Sequence, residues 1–206
     1  MPRPIVITAF APFPGVADNP TRTLLESLPS SGDTILEQAQ RILLPTEYRR
    51  APETLLQALT ERPAAIIMTG YSHRATCITL EARATQACLP DRPDAAGRFP
   101  DAPDPLMAEA HETAANIAAI AQSLRVAGLP AALSDDAGGY VCNHIYHAAL
   151  SGPCAGIDAP PGLFVHLPAL PDTDLAATAA STLPLAQMQR SLGIIARALI
   201  DGGDIV

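Results

Sequence analysis

The sequence predicts an α/β layered domain in which helices cover a mostly parallel sheet. Short apolar runs typical of buried strands alternate along the chain with segments of helical composition, and this alternation is typical of strand–helix–strand connections. The length of 206 residues fits one domain that buries a substantial core. Because neither an internal repeat nor a linker is visible, we expect residues 1–206 to form a single domain.

The first half of the chain supplies four strand candidates and two helix candidates. The run PIVITAF is apolar and β-branched, AAIIMTG ends in a glycine, and TCITLEARATQ alternates as a strand with one half-buried face does. Helical spacing places Leu55, Leu56 and Leu59 on one face. In order, the predicted elements are a strand at 4–10, a helix starting near Thr21, a strand at 35–44 ended by Pro45, a helix at 46–62, and strands at 64–70 and 76–86.

The second half opens with a long loop at 89–105, dense in proline and aspartate, and such loops in compact domains are often functional. An alanine-rich segment then predicts a helix that closes at Gly128. The predicted elements are this helix at 108–128, a short strand at 129–134, a helix with Cys142 in its first turn, a strand at 162–171 and a last helix at 184–200.

Charge and hydropathy exclude several classes of partner. The formal net charge of −8 argues against nucleic acid and anionic membranes as main partners. No apolar run reaches membrane-spanning length, and the N-terminus lacks the pattern of a signal peptide, so we expect a cytoplasmic protein. In that compartment the four cysteines, none in a CxxC pair, are expected to be free thiols.

Cys142 is the first candidate for chemistry. It follows a glycine turn, SDDAGGY, and begins a helical segment. The amides and dipole of a helix start favour a thiolate and could also hold an oxyanion. A small buried thiol explains the position equally well.

A cysteine nucleophile needs a base, and His166 is the best candidate among five histidines. It lies near the end of an apolar strand, where a lone histidine is usually a core residue. Glu81 could orient an imidazole, although by itself it fits a solvent-facing strand position.

Two other kinds of site find weaker support. Cys142, His144 and His147 could hold a metal, but their spacing matches known zinc sites poorly. The glycines of AGGY lack the GxxxxGK(S/T) pattern, and no dinucleotide-binding fingerprint follows the first strand.

Four segments in order resemble the pyroglutamyl peptidase I family of cysteine peptidases. TAFAPFPGVADNPT resembles the family's TGFxPFxG…NP segment, and ITLEARA resembles the stretch around its glutamate. SDDAGGYVCN is similar to SxxAGxYxCN around the nucleophile, and FVHLPALP is similar to the segment around the histidine. The order Glu, Cys, His and the chain length also match.

The resemblance implies a single-domain, three-layer α/β/α sandwich with a mostly parallel central sheet. It implies an enzyme that removes pyroglutamate (5-oxoproline) from the N-terminus of peptides, with Cys142 as nucleophile, His166 as base and acid, and Glu81 orienting His166. It further implies no cofactor or metal, and assembly as a dimer or tetramer. The residues that it assigns to the substrate are Phe10, Phe13, Asn19, Tyr71, Arg92 and Val141.

The chain departs from the family at three places, most seriously in the loop. Ala9 replaces a glycine, Ala82 replaces the arginine after the glutamate, and the family's Arg-Ile-Pro-Asp is altered. An ungapped alignment shifts the arginine to Arg92 and loses the apolar residue, whereas a gapped alignment puts Cys88 at the arginine position. We therefore weigh three alternatives to the peptidase: a family member that binds without turnover, a hydrolase for a different N-terminal group, and a nucleoside phosphorylase-like enzyme without a visible phosphate site.

Overall fold

A computed structural model describes residues 3–13, 15–101 and 109–202. Six strands form the central sheet in the order β2-β1-β3-β8-β4-β7, and two short strands pair separately. The strands are β1 (Ile5–Phe10), β2 (Gln40–Leu44), β3 (Ala65–Tyr71), β4 (Ile78–Glu81), β5 (Arg83–Ala84), β6 (His111–Glu112), β7 (Ala131–Ser134) and β8 (Gly162–Leu167). The helices are α1 (Pro20–Ser27), α2 (Thr34–Glu37), α3 (Arg50–Ala58), α4 (Ile117–Val126), α5 (Val141–Ser151) and α6 (Leu185–Ile200), with short 3-10 turns at Leu28–Ser30 and Asp174–Ala177.

The sheet is mostly parallel, as predicted. β1 pairs in parallel with β2 and β3, β3 with β8, and β4 with β7. Within the described part of this sheet β4 and β8 pair antiparallel, and outside the sheet so do the short strands β5 and β6. The carboxyl end of β8 therefore lies beside the start of β4, with His166 opposite Thr79.

Helices cover both faces, which confirms the three-layer sandwich. Alternate residues of β1 point to opposite faces, because successive side chains of a strand alternate. Ile5 and Ile7 join a core with α1, α4 and α6, whereas Val6 and Phe10 join a second core with α3 and α5. None of the helices in the described ranges combines the length and the apolar character needed to cross a membrane.

Two of the predicted elements begin later in the chain than expected. The strand predicted at 35–44 starts at Gln40, because the Asp33 carboxylate accepts a hydrogen bond from the Ile35 amide and caps α2. The helix predicted at 108–128 starts at Ile117, where Asn116 caps it, and His111–Glu112 form a strand instead. Residues 102–108 lie outside the described ranges.

The strand predicted at 76–86 divides after Glu81, because Ala82 bonds to two different neighbours. Its amide donates to the Ser134 carbonyl and its carbonyl accepts from the Thr113 amide, so the chain leaves the central sheet. On α3, Leu55 is buried but Leu56 is 50% exposed, so Leu56 does not lie on the same face as Leu55, contrary to the prediction that the two share a face.

Candidate active site

The sheet brings Glu81 and His166 together from positions 85 residues apart. In the antiparallel register of β4 and β8, Glu81 lies opposite Phe164, and His166 follows two residues later on the same face. The diagonal pair meets at a distance of 2.7 Å between His166 Nδ1 and Glu81 Oε1. Glu81 is therefore not the solvent-facing strand residue that it could have been by its position alone.

The pair is shielded from water. The side chains of Glu81 and His166 are 2% and 12% exposed. Burial lowers the pKa of His166, but hydrogen bonds to the Cys142 thiol and to Glu81 outweigh burial and raise that pKa to about 9. The imidazole thus lies between a thiol and a carboxylate, and its protonated form is favoured at neutral pH.

Cys142 is the second residue of α5. Tyr140, the N-cap, has an extended backbone, and its side chain makes no capping hydrogen bond. The amides of the first helical turn are consequently not capped by that side chain and can serve an oxyanion. A sharp turn precedes the helix, since Gly138 has a φ of 81°, a conformation that favours glycine.

Gly70 of β3 provides room for the thiol, and sequence reasoning did not single it out. A Cβ at this position would lie 2.8 Å from the Phe164 ring and 3.0 Å from Cys142 Sγ. β3 pairs with β8 so that Gly70 is the partner of His166. The glycine therefore lets the sheet, the thiol and the imidazole approach one another closely.

Asn143 fixes the start of α5 and was also missed. Its side chain is 1% exposed; it accepts from the Thr85 amide at 3.0 Å and donates to the carbonyls of Thr85 at 2.6 Å and Ala87 at 3.0 Å. Tyr146, also buried, donates its hydroxyl to the Glu81 carbonyl at 2.8 Å. The sequence showed only that an amide side chain, Asn143, directly follows Cys142. Its role follows from its burial, because a buried amide needs hydrogen-bond partners.

A cavity of about 690 Å³ opens over these groups. The three candidate catalytic residues line it, and so do all six residues assigned to the substrate: Phe10, Phe13, Asn19, Tyr71, Arg92 and Val141. Asn19 also caps α1, because its side-chain oxygen accepts from the amide and the hydroxyl of Thr21 at 3.1 and 2.9 Å.

The altered loop places both alternative residues, Arg92 and Cys88, at the same cavity. The Arg92 guanidinium lies over the Tyr140 ring, 4.3 Å from its centroid. Leu89 also lines the cavity, so an apolar side chain is present at this wall. Asp94 is buried, and its carboxylate accepts hydrogen bonds from the amides of Tyr48, Ala96 and Arg98.

The histidines considered for a metal point elsewhere. The His144 ring packs against Tyr48, and the His147 ring against His111, each with centroids 4.8 Å apart. Burial lowers the pKa of both rings. In residues 3–13, 15–101 and 109–202, no cluster of three or more histidine, cysteine or acidic side chains has the arrangement of a metal site.

A thiol at a helix start, an imidazole beside it and a buried carboxylate behind the imidazole are the components of a cysteine hydrolase. The family described as Pyroglutamyl peptidase matches residues 3–201 of the chain. The chain belongs to this family.

Individual relatives agree over nearly the full length. The chain is 31% identical over 201 residues to the pyrrolidone-carboxylate peptidase of Levilactobacillus brevis, covering 95% of this chain and 97% of that one. It is 34% identical over 188 residues to that of Chromobacterium violaceum, covering 88% and 85%. The crystal structure of pyroglutamyl peptidase I from Bacillus amyloliquefaciens superposes with a TM-score of 0.85 at 26% identity, covering 100% and 99%. The pyrrolidone carboxyl peptidase of Thermus thermophilus gives 0.79 at 30%, covering 92% and 97%.

Proposed function

We propose that this protein is a cysteine peptidase that removes pyroglutamate from the N-terminus of peptides, with Cys142 as nucleophile, His166 as base and acid, and Glu81 as the residue that orients His166. The observation that carries the proposal is the 2.7 Å contact between His166 Nδ1 and Glu81 Oε1 in the cavity that Cys142 also lines. Family membership supplies the substrate class.

The reaction proceeds in two halves. The Cys142 thiolate attacks the carbonyl carbon of the pyroglutamyl residue, and the first-turn amides of α5 stabilise the oxyanion. Protonated His166 then donates its proton to the leaving peptide amine, which leaves a thioester. In the second half neutral His166 removes a proton from water, and the hydroxide attacks the thioester. The Cys142 thiolate is expelled, free pyroglutamate departs, and the thiolate and protonated His166 with which the reaction began are restored.

The cavity suits the flat, neutral lactam ring. Phe10 and Val141 are buried apolar side chains at its wall, and Phe13 lies near the Tyr140 ring with centroids 6.2 Å apart. Aromatic and branched walls gain from contact with such a ring, and a few polar groups fix its orientation. The chemistry that we propose needs no cofactor.

Several finer features are part of the same proposal. We infer that residues 1–206 act as one peptidase domain, because Glu81 and His166 come from adjacent strands of one sheet and Cys142 from a helix packed on that sheet. The resemblance to the family supports a homo-oligomer, a dimer or a tetramer, and a cytoplasmic location. Light scattering on the purified protein measures the oligomer directly.

Hydrolysis of a pyroglutamyl chromogenic amide tests the proposal, with prolyl and glutamyl amides as comparisons. We expect turnover of the pyroglutamyl amide alone, and its loss in Cys142→Ala with an unchanged circular dichroism spectrum. An intact protein that binds the lactam without turnover would instead support the non-catalytic alternative. Cleavage confined to another N-terminal group would support the second alternative, a hydrolase that kept the catalytic residues and changed its substrate.

A further inference from the structure

Cys88 is a thiol that the proposed reaction does not use. It is partly exposed, lines the same cavity as Cys142, and is not among the residues assigned to the substrate. Cys154 packs against the second hydrophobic core, whereas Cys88 belongs to neither core of the described residues. Packing therefore does not account for a second thiol beside the nucleophile.

Asn143, which directly follows Cys142, fixes the segment that leads into Cys88. Its side-chain nitrogen donates to the Ala87 carbonyl at 3.0 Å, and the same side chain bonds to the amide and the carbonyl of Thr85. Ala87 directly precedes Cys88. Each of the two cysteines is thus the sequence neighbour of one partner in the same hydrogen bond.

A second attachment lies on the other side of Cys88. The Leu89 amide donates to the Gly139 carbonyl at 2.8 Å. The two backbones come close at this point, because a Cβ on Gly139 would lie 3.1 Å from the Cys88 carbonyl carbon. Cys88 therefore lies between two attachment points, and these attach it to both ends of the short segment that contains Cys142.

Cys142 is the thiol that an oxidant is expected to reach first. It is the second residue of α5, it faces the cavity, and it is hydrogen-bonded to the His166 imidazole. Hydroperoxides oxidise cysteines according to their thiolate character and their access to solvent. The product is a sulfenic acid, which either goes on to irreversible acids or condenses with a nearby thiol.

We propose that Cys88 is the resolving thiol of Cys142, and that the two form a reversible disulfide when a hydroperoxide oxidises the nucleophile. The disulfide stops turnover because the Cys142 sulfur is no longer free to attack a carbonyl. It also protects Cys142, because a disulfide can be reduced and a sulfinic acid cannot be reduced by ordinary thiols. The inference rests on the proposed function only for the loss of activity, since the disulfide forms whatever the substrate is.

The oxidation takes place in two steps. The Cys142 thiolate attacks the hydroperoxide, so that an S–O bond forms, the O–O bond breaks, and the expelled hydroxide (or alkoxide) takes a proton from solvent. Cys88 then loses its proton and attacks the Cys142 sulfur, so that the S–S bond forms and the S–O bond breaks. The departing hydroxide takes up the proton that Cys88 lost and leaves as water. A dithiol reductant returns both thiols and becomes a disulfide itself.

Two substitutions test the role of Cys88. Cys88→Ser keeps the size of the side chain but cannot form a disulfide. Cys77→Ser is the matched control, because Cys77 is also a partly exposed cysteine and is not among the residues that line this cavity. Each variant is compared with itself before and after oxidation, so a change in basal activity does not affect the result.

The purified protein is treated with excess hydrogen peroxide, alkylated, digested without reduction and mapped by mass spectrometry. We expect a peptide that links Cys88 to Cys142 in the unaltered protein and in Cys77→Ser, and none in Cys88→Ser. Turnover of the pyroglutamyl amide should fall by roughly tenfold or more on oxidation, and dithiothreitol should restore it to within about twofold except in Cys88→Ser, where Cys142 should become a sulfinic acid.

The linked peptide is detected without turnover, so the two proposals fail separately. A Cys88–Cys142 link in a protein without turnover supports the disulfide and refutes the peptidase. Turnover in a protein whose Cys142 goes directly to the sulfinic acid, or links to a cysteine other than Cys88, refutes the disulfide and leaves the peptidase intact. Recovery with dithiothreitol that is as complete in Cys88→Ser as in Cys77→Ser also refutes the role of Cys88. If Cys88→Ser does not give a native circular dichroism spectrum, the peptide map of the unaltered protein decides by itself.

Discussion

Replacing Glu81 with glutamine removes one charge next to His166 while preserving the shape of the side chain. The carboxylate is 2% exposed and contacts Nδ1 at 2.7 Å, and its second oxygen has no hydrogen-bond partner among the described residues. A glutamine can still accept from Nδ1 through its carbonyl oxygen, so the orientation of the imidazole is retained. What is lost is the attraction between the carboxylate and the imidazolium.

The sign of the effect follows from the proton that His166 must donate to the leaving amine. In the unaltered protein the imidazolium persists to a pH near its pKa of about 9. A hydrogen bond to a charged group contributes about 1.5–3 kcal/mol, and one pKa unit corresponds to about 1.36 kcal/mol. Without the Glu81 charge the pKa of His166 should therefore fall by roughly 1 to 2 units, because less energy then favours the protonated ring.

The assay is kcat/KM against pH on a pyroglutamyl amide, a substrate without a titrating group in this range. We expect the alkaline limb of the profile to lie near pH 9 in the unaltered protein and roughly 1 to 2 pH units lower in Glu81→Gln. The loss of kcat/KM at the optimum should be smaller than in Cys142→Ala, since Glu81 orients the base and does not attack the substrate.

Glu53→Gln is the matched control, because Glu53 is an exposed carboxylate on α3 outside the cavity. Thermal unfolding of each variant separates a change in catalysis from a change in folding. An alkaline limb that stays in place in Glu81→Gln would refute the role given to the carboxylate, even if the rate falls.

Two further predictions concern the thiol. Iodoacetamide labelling mapped by mass spectrometry should modify Cys142 first and Cys154 last, because burial raises the pKa of Cys154 to about 12; early labelling of Cys88 that tracks inactivation would contradict this order. Gly70→Ala should lower both activity and the free energy of unfolding, the latter by about 1–3 kcal/mol, because the new methyl group would lie 2.8 Å from the Phe164 ring and 3.0 Å from Cys142 Sγ. Chemical denaturation measures the loss of stability, and an unfolding curve that does not move would show that the sheet yields at this position.

The sequence was sufficient for the layered fold and for most of its elements. Strands such as IVITAF and AIIMTG are apolar on both faces because helices cover both sides of the sheet. Element boundaries were predicted less well where a cap or a neighbouring strand decided them. α2 forms because Asp33 caps it, and residues 82–84 leave the sheet because Ala82 bonds to Ser134 and Thr113. Hydrophobic periodicity along the chain reveals neither set of hydrogen bonds.

The candidate site divides in the same way. The segments around Glu81, Cys142 and His166 resemble those of one family, and they occur in the same order. The sequence alone was therefore enough to nominate these three residues as carboxylate, nucleophile and base. Their meeting depends on tertiary structure, since β4 runs antiparallel to β8 and only that register puts Glu81 diagonally opposite His166. The importance of Gly70 could be recognised only from the tertiary structure. A side chain is excluded at this position because Phe164 and Cys142 pack against it. The same holds for Arg92, whose charge is visible in the sequence. Its place over Tyr140 depends on two hydrogen bonds of its backbone: its carbonyl accepts from the Tyr48 hydroxyl, and its amide donates to the Leu89 carbonyl. Local patterns determine which residues carry chemistry, and long-range packing determines the distances at which that chemistry can occur.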